Sequence, residues 1–405
     1  MQNSTAMAEN NRNLKILLGG VPLGCNNVGD EAIVACVVRL LRSLVPQAEV
    51  TVCTREEVRT AAELQVRTAP LYGFGENPDW RGFAAEVRRH DVFLWFGATG
   101  LSDYPATAVK LLRIAQGAGV KTIVWGVGMN SQLNPAFYRA GGRRLRLLNV
   151  LTHCSLGVLD WRRIYEGMLT RRIGRQIRHA LEGCALVVLR DAESKAVVER
   201  CGYHHALVGA DTAILQESAP KPPLPVIGPG VVRIGFCISE QSALRQLDEL
   251  AELWDKLLER PEIRIVLIPM NPLTDKRLMQ NLAVRSKCPE RIECLEEDAP
   301  AVVQACVSQC RAVVSSRLHL LILAANVGVP FIGIERGSKI STWLKQFGRV
   351  PAGSVESCDF AEIHRQLAEI LATPPEVSRQ RIGKVTAAMR HRLEACAEEL
   401  RRALV

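Results

Sequence analysis

Two doubly wound, Rossmann-like α/β halves facing across a cleft are the fold class this sequence predicts, and three observations carry it. Apolar, β-prone runs alternate with helical patterns along the whole chain, as crossover connections in parallel sheets require. Residues 217–230 carry five prolines and interrupt the alternation near its middle. Neither a helix nor a central strand tolerates that density, so the segment reads as a linker between domains 1–216 and 231–405. Arg317 and His319 follow the apolar run Ala312-Val313-Val314, at the edge where open parallel sheets bind ligands.

In chain order, Leu14-Lys15-Ile16-Leu17-Leu18 is the first strand, followed by a turn and a helix over about residues 30–44. Val50-Thr51-Val52-Cys53, Val92-Phe93-Leu94-Trp95-Phe96, Thr122-Ile123-Val124-Trp125 and Ala185-Leu186-Val187-Val188-Leu189 follow, with helical sequence between them. Past the prolines come Val232-Arg233-Ile234-Gly235-Phe236-Cys237, Ile263-Arg264-Ile265-Val266-Leu267-Ile268 and Arg291-Ile292-Glu293-Cys294-Leu295. Ala312-Val313-Val314 and Phe331-Ile332-Gly333-Ile334 flank a helix that Gly328 and Pro330 end. Residues 376–404 form a long charged terminal helix. Two such halves make a cleft of the kind that holds substrates and excludes water.

Composition narrows the function. At 48% apolar and 23% charged, the chain is an ordinary globular protein. No apolar run is long enough to cross a bilayer, and residues 1–12 lack the apolar centre of a signal peptide. Thirteen cysteines, an odd number scattered through apolar runs without a Cys-x-x-Cys pair, read as reduced core thiols of a cytoplasmic protein. Cys306 and Cys310 sit one helical turn apart without a matching ligand pair, so no metal is expected. The net charge of +9 favours an anionic partner, and residues 139–178 hold ten arginines against Asp160 and Glu166. Arg171, Arg175 and Arg178 share one helical face within the basic helical segment 139–184. That face is either solvated or a peripheral contact with anionic lipid at the inner face of the membrane. Nucleic acid fits less well, because only 5% of residues are aromatic and no binding motif accompanies the arginines.

Arg317 and His319 stand two residues apart at a strand's C-terminal end. Arginine suits an anionic ligand and histidine suits proton transfer near neutral pH, although a satisfied core histidine has the same spacing. Asp30 and Glu31 open the first helix, where the helix dipole alone accounts for acidic residues. Gly24 to Gly29 is not a dinucleotide fingerprint, since Gly-x-Gly-x-x-Gly is absent.

The Arg317-Leu318-His319 segment, with its helix, Gly328-Val329-Pro330 and Lys339, resembles the polysaccharide pyruvyl transferase family. The likeness extends to Gly24-Cys25-Asn26-Asn27-Val28-Gly29-Asp30-Glu31-Ala32, to Gly126-Val127-Gly128 and to Leu189-Arg190-Asp191-Ala192-Glu193-Ser194. It continues through Gly209-Ala210-Asp211 and Ile234-Gly235-Phe236-Cys237, in the family's order over about residues 14–350. The resemblance implies a GT-B-like fold and a transferase with no cofactor. The implied reaction moves pyruvyl from phosphoenolpyruvate to a sugar of a cell-envelope polysaccharide or its lipid-linked precursor, forming a cyclic ketal. Two departures, Gly97-Ala98-Thr99-Gly100-Leu101-Ser102-Asp103 and Glu335-Arg336-Gly337-Ser338, are expected to bear on the acceptor more than on the donor.

By that resemblance Arg190 and Arg317 clamp phosphoenolpyruvate, Leu318 offers its backbone, and Lys339 adds a charge toward the phosphate. For Arg190 an ion pair with Asp191 or Glu193 is the competing reading. His319 is the expected acid for the methylene carbon. Neighbouring arginines disfavour its charged form and bound donor favours it, so its catalytic proton should arrive with the substrate. Asn26, Asn27, Asp30 and Glu31 are the acceptor-side candidates, with Asp211 a turn residue and His204-His205 a solvated loop. A GT-B nucleotide-sugar glycosyltransferase and a non-catalytic protein binding an anionic polymer or membrane remain the other readings, since fold alone does not separate them.

Overall fold

The structure, a computed structural model, describes residues 13–130, 135–156, 158–225, 228, 230–240 and 244–405. The polar N-terminus and Val226, Ile227 and Pro229 of the Pro-rich segment lie outside the described residues. Seven parallel strands form the first sheet: β1 (Lys15–Gly19), β2 (Glu49–Thr54), β3 (Arg67–Pro70), β4 (Val92–Phe96), β5 (Lys121–Val127), β6 (Leu186–Leu189) and β7 (Leu207–Val208). Five parallel strands form the second: β8 (Val232–Cys237), β9 (Ile263–Leu267), β10 (Ile292–Cys294), β11 (Ala312–Ser315) and β12 (Phe331–Gly333). Both sheets are open, in the orders β3-β2-β1-β4-β5-β6-β7 and β10-β9-β8-β11-β12. Each order reverses direction once, between β1 and β4 and between β8 and β11, which creates a crevice at the C-terminal ends of those strands.

The central strands are apolar at nearly every position because helices cover both faces. One apolar core runs from Ile16 and Trp125 of the first half to Leu321, Trp343 and Leu400 of the second, so the halves share packing beneath the cleft. Polar links add to it: the Val28 amide donates to the Met270 carbonyl at 3.0 Å, and Asn326 Nδ2 donates to the Ala213 carbonyl at 2.9 Å. The terminal helix, Pro375–Leu404, carries an apolar stripe of Ile382, Met389, Leu393, Cys396, Leu400 and Leu404. It packs on β6 and β7 of the first sheet and on the helix Leu318–Asn326 of the second half. All thirteen cysteines are free thiols, seven of them buried.

Candidate functional site

Loops after six strands converge on one cavity of about 280 Å³ at the facing C-terminal edges of the two sheets. Gly20 follows β1, Thr99 follows β4 and Arg190 follows β6; Asn271, Arg317 and Arg336 follow β9, β11 and β12. Both crevices therefore open into the same space. Its charge is divided. Arg190, Arg317, Arg336 and Lys339 supply four cations, while Asn27, Asp30 and Asp103 line the first sheet's side.

Each cation is held by the local fold. Arg317 is buried, and its Nε and Nη2 donate to the two oxygens of Asp275 at 2.9 and 2.7 Å. Asp275 is wholly buried and also accepts from the amides of Glu240 and Asn271. The fork is thus fixed side-on, which leaves the Nη1 protons for a ligand. Arg190 donates from Nε to Asp191 at 3.2 Å, the ion pair that competed with the clamp reading, yet it still lines the cavity. Gly128 permits this, since a side chain there would overlap the guanidinium. Arg336 donates to Ser239 Oγ at 2.7 Å, and burial followed by Arg317 lowers its pKa to about 10. Lys339 opens the helix Lys339–Lys345 with no ion-pair partner among the described residues. Burial, then Arg336 and Arg190, bring its pKa down to about 8.

His319 lies in the first turn of the helix Leu318–Asn326, whose leading amides have no side-chain cap. Its Nε2 stands 3.7 Å from Asp211 Oδ2, and neither atom has a hydrogen-bond partner among the described residues. Burial pushes the Asp211 carboxyl up, but His319, Arg190 and the Ala213 amide outweigh it and hold it below the usual range. The other edge of the ring presses on Gly29, near the N-terminus of the helix Val28–Leu44, where a Cβ would overlap Nδ1. Asn27 caps that helix and donates from Nδ2 to Asp30 at 2.6 Å. Burial raises Asp30, with His319 and Asn27 opposing.

The structure thus brings Arg190, Arg317, Leu318, His319, Lys339, Asn27 and Asp30 to one cavity and leaves Asn26 and Glu31 outside it. Asn26 has a φ of 57° and shapes the turn. Glu31 turns back to accept from the Gly24 amide at 3.2 Å, and burial raises its pKa to about 7. The departure at residues 335–338 brings Arg336 into the cavity as a cation beside Arg317 and Lys339. Asp103 is held by Thr99 at 2.5 Å and Asn130 at 2.8 Å, so the altered glycine run carries a carboxylate to the opposite side. Asp275 and Asn271 escaped the sequence reading. Their signal was polar residues in Asn271-Pro272-Leu273-Thr274-Asp275 just past a strand. Among the described residues no group of three His, Cys, Asp or Glu side chains could hold a metal.

A family model described as polysaccharide pyruvyl transferase matches residues 27–338, more than half of the chain. No curated protein matches it. Among solved structures, a glycosyltransferase of kitacinnamycin is similar at 14% identity and a TM-score of 0.59, covering 97% of this chain and 100% of its own. A UDP-N-acetylglucosamine 2-epimerase assigned as putative from Listeria monocytogenes is similar at 11% identity and a TM-score of 0.61, with 92% and 91% covered. The UDP-GlcNAc 2-epimerase of Neisseria meningitidis gives 14% and 0.56, with 94% and 100% covered. At these identities the likeness shows the fold alone, and that fold is GT-B-like.

Proposed function

We propose, for a chain that belongs to the polysaccharide pyruvyl transferase family, that it transfers pyruvyl from phosphoenolpyruvate to a saccharide of the cell envelope, free or lipid-linked. The observation that carries the reading is the cavity's composition: Arg317, Arg336 and Lys339 from the second sheet's loops and Arg190 from the first, with Asn27, Asp30 and Asp103 on the first sheet's side and His319 among them. Phosphoenolpyruvate is a small trianion, and the carboxylate and phosphate each suit a guanidinium fork. Arg317, fixed by Asp275, and Arg190 hold these groups. Lys339, Arg336 and the uncapped amides at Leu318 add charge stabilisation for the phosphate.

Transfer begins when His319 gives a proton to the donor's methylene carbon, and Asp211 supplies the counter-charge for the imidazolium this step needs. The neighbouring carbon becomes cationic, and an acceptor hydroxyl adds to it. Asp30, more basic than an ordinary carboxylate because it is buried, takes the hydroxyl's proton. The C–O bond to phosphate breaks, phosphate leaves with the proton held by Asp30, and a second hydroxyl adds to the same carbon to close the ketal, its proton returning to His319. Incubating the protein with phosphoenolpyruvate and envelope saccharides tests this. Inorganic phosphate should appear in step with an acceptor gaining pyruvate less water. Turnover of a UDP-sugar, with no phosphate released from phosphoenolpyruvate, would favour the glycosyltransferase reading instead.

A further inference from the structure

The helix Trp161–Glu182 is too long for the sheet it crosses. Its 22 residues span about 33 Å, whereas β6 beside it has four residues, about 13 Å. Its buried residues, Gly174, Ile177, Ala180 and Leu181, all lie in the second half. Thr170 and Arg171 are level with Met129, just past the C-terminal end of β5, because all three line one cavity. Residues 161–169 therefore overhang the C-terminal edge of the sheet, the edge that carries the candidate site. The helix Gly142–Cys154 packs against this overhang and has no buried residue at all. Together they form a hairpin standing off the body.

That hairpin carries most of the exposed large apolar side chains among the described residues. Nine of the sixteen exposed large apolar side chains among the described residues fall within residues 147–168. Leu156 and Val158, at the turn, are 92% and 82% exposed. Leu147 and Val150 continue the patch down one helix, and Ile164 and Met168 down the other. A patch this concentrated on a soluble surface marks an interaction site. Its charges are as uneven. Arg143, Arg144 and Arg146 stand at the base of the first helix and Arg162 and Arg163 near the turn, all exposed. A groove of about 550 Å³ at the base is lined by Arg139, Arg143, Arg144, Arg172 and Tyr165, with no acidic residue in its lining.

We infer that this hairpin docks the protein on an anionic phospholipid bilayer, its apolar turn entering the acyl boundary and its arginines meeting lipid phosphates. Apolar residues at the tip with arginines along the shaft match the depth profile of a bilayer surface. A second copy of the chain does not fit, because pairing two hairpins would set Arg143, Arg144, Arg146, Arg162 and Arg163 against the same five arginines. The lipid contact therefore moves from the Arg171, Arg175 and Arg178 face to the hairpin tip and base. Arg178, paired with Glu182 at 3.2 Å, belongs to the half of the helix that packs on the body. Docking by this edge brings the cavity mouth to the membrane, where a lipid-linked acceptor resides. The placement deepens the acceptor reading and is independent of the donor.

Sedimentation of the full chain with vesicles tests it, without donor or acceptor present. Vesicles of phosphatidylcholine with phosphatidylglycerol should carry the protein down, and phosphatidylcholine alone should carry far less. An arginine near an anionic surface contributes about fivefold, so Arg143→Gln with Arg144→Gln should weaken binding about thirtyfold. Leu156→Ser with Val158→Ser should weaken it even at low salt, with the melting temperature unchanged in both variants. Equal sedimentation with and without phosphatidylglycerol, wild-type binding by both variants, or dimerisation through the hairpin without vesicle binding would overturn the inference. Phosphoenolpyruvate binding, measured separately, reports on the donor site whichever way the vesicles decide.

Discussion

Gly29→Ala isolates the role assigned to His319 without touching a charged group. A methyl at residue 29 would stand 2.8 Å from His319 Cβ and overlap Nδ1 and Cγ. Carbon atoms come into ordinary contact at about 3.5 Å, so the imidazole must shift by roughly 1 Å or rotate. The backbone at residue 29 is helical, and alanine there gains up to about 1 kcal/mol of helix propensity, which works against the overlap. The variant should therefore fold, with the melting temperature as the check. A displacement of that size in an acid that must face one carbon costs roughly 10²-fold in rate. Phosphoenolpyruvate affinity should stay close to wild type, because Arg190 and Arg317 are untouched. The sharper readout is the double variant: with His319→Gly already present, which removes every atom the methyl would meet, Gly29→Ala should cost almost nothing more. Activity within twofold of wild type, or an equal loss in the His319→Gly background, would refute the reasoning.

Arg317→Ala leaves the wholly buried Asp275 without its ionic partner and should destabilise the fold by about 3–5 kcal/mol in denaturant titration. Arg317→Lys should recover part of that stability but not donor affinity, since an ammonium cannot reproduce the fork. Lys339 gives two pH effects of opposite sign. Its pKa falls from 10.5 to about 8 on folding, so the unfolded chain holds more protons between those values. Stability from this group should rise with pH across that window while phosphoenolpyruvate affinity falls through about pH 8, and Lys339→Met should remove both trends. Glu31 runs the other way. Its pKa rises from 4.5 to about 7, so its contribution to stability is full below 4.5 and lost as pH climbs through 7, and Glu31→Gln should flatten that slope in melting curves.

The central strands were legible because they are apolar throughout and flanked by helical periodicity; Val92–Phe96 and Val232–Cys237 match their predicted bounds. The edge strands were not. Arg67–Pro70 mixes an exposed arginine with a proline, and Leu207–Val208 is two residues long, so neither has a period to read. At the site, Arg317 and His319 announced themselves as polar residues at a strand end, whereas Arg190 was picked out by the family resemblance alone. Asp275 did not, because its meaning lies in Arg317, 42 residues further along, and only packing brings the two together. Glu31 shows the converse. It sits beside Asp30 in sequence, but successive helical residues point about 100° apart, so one faces the cavity and the other the Gly24 turn. The arginine-rich segment disclosed its charge but not its overhang, which depends on comparing helix length with strand length.

Calorimetric titration of the purified chain with phosphoenolpyruvate, alongside UDP-N-acetylglucosamine, tests the donor assignment most directly. Saturable heat with phosphoenolpyruvate, abolished by Arg190→Ala and absent with the nucleotide sugar, is the predicted result. Saturable binding of the nucleotide sugar with none of phosphoenolpyruvate would contradict it.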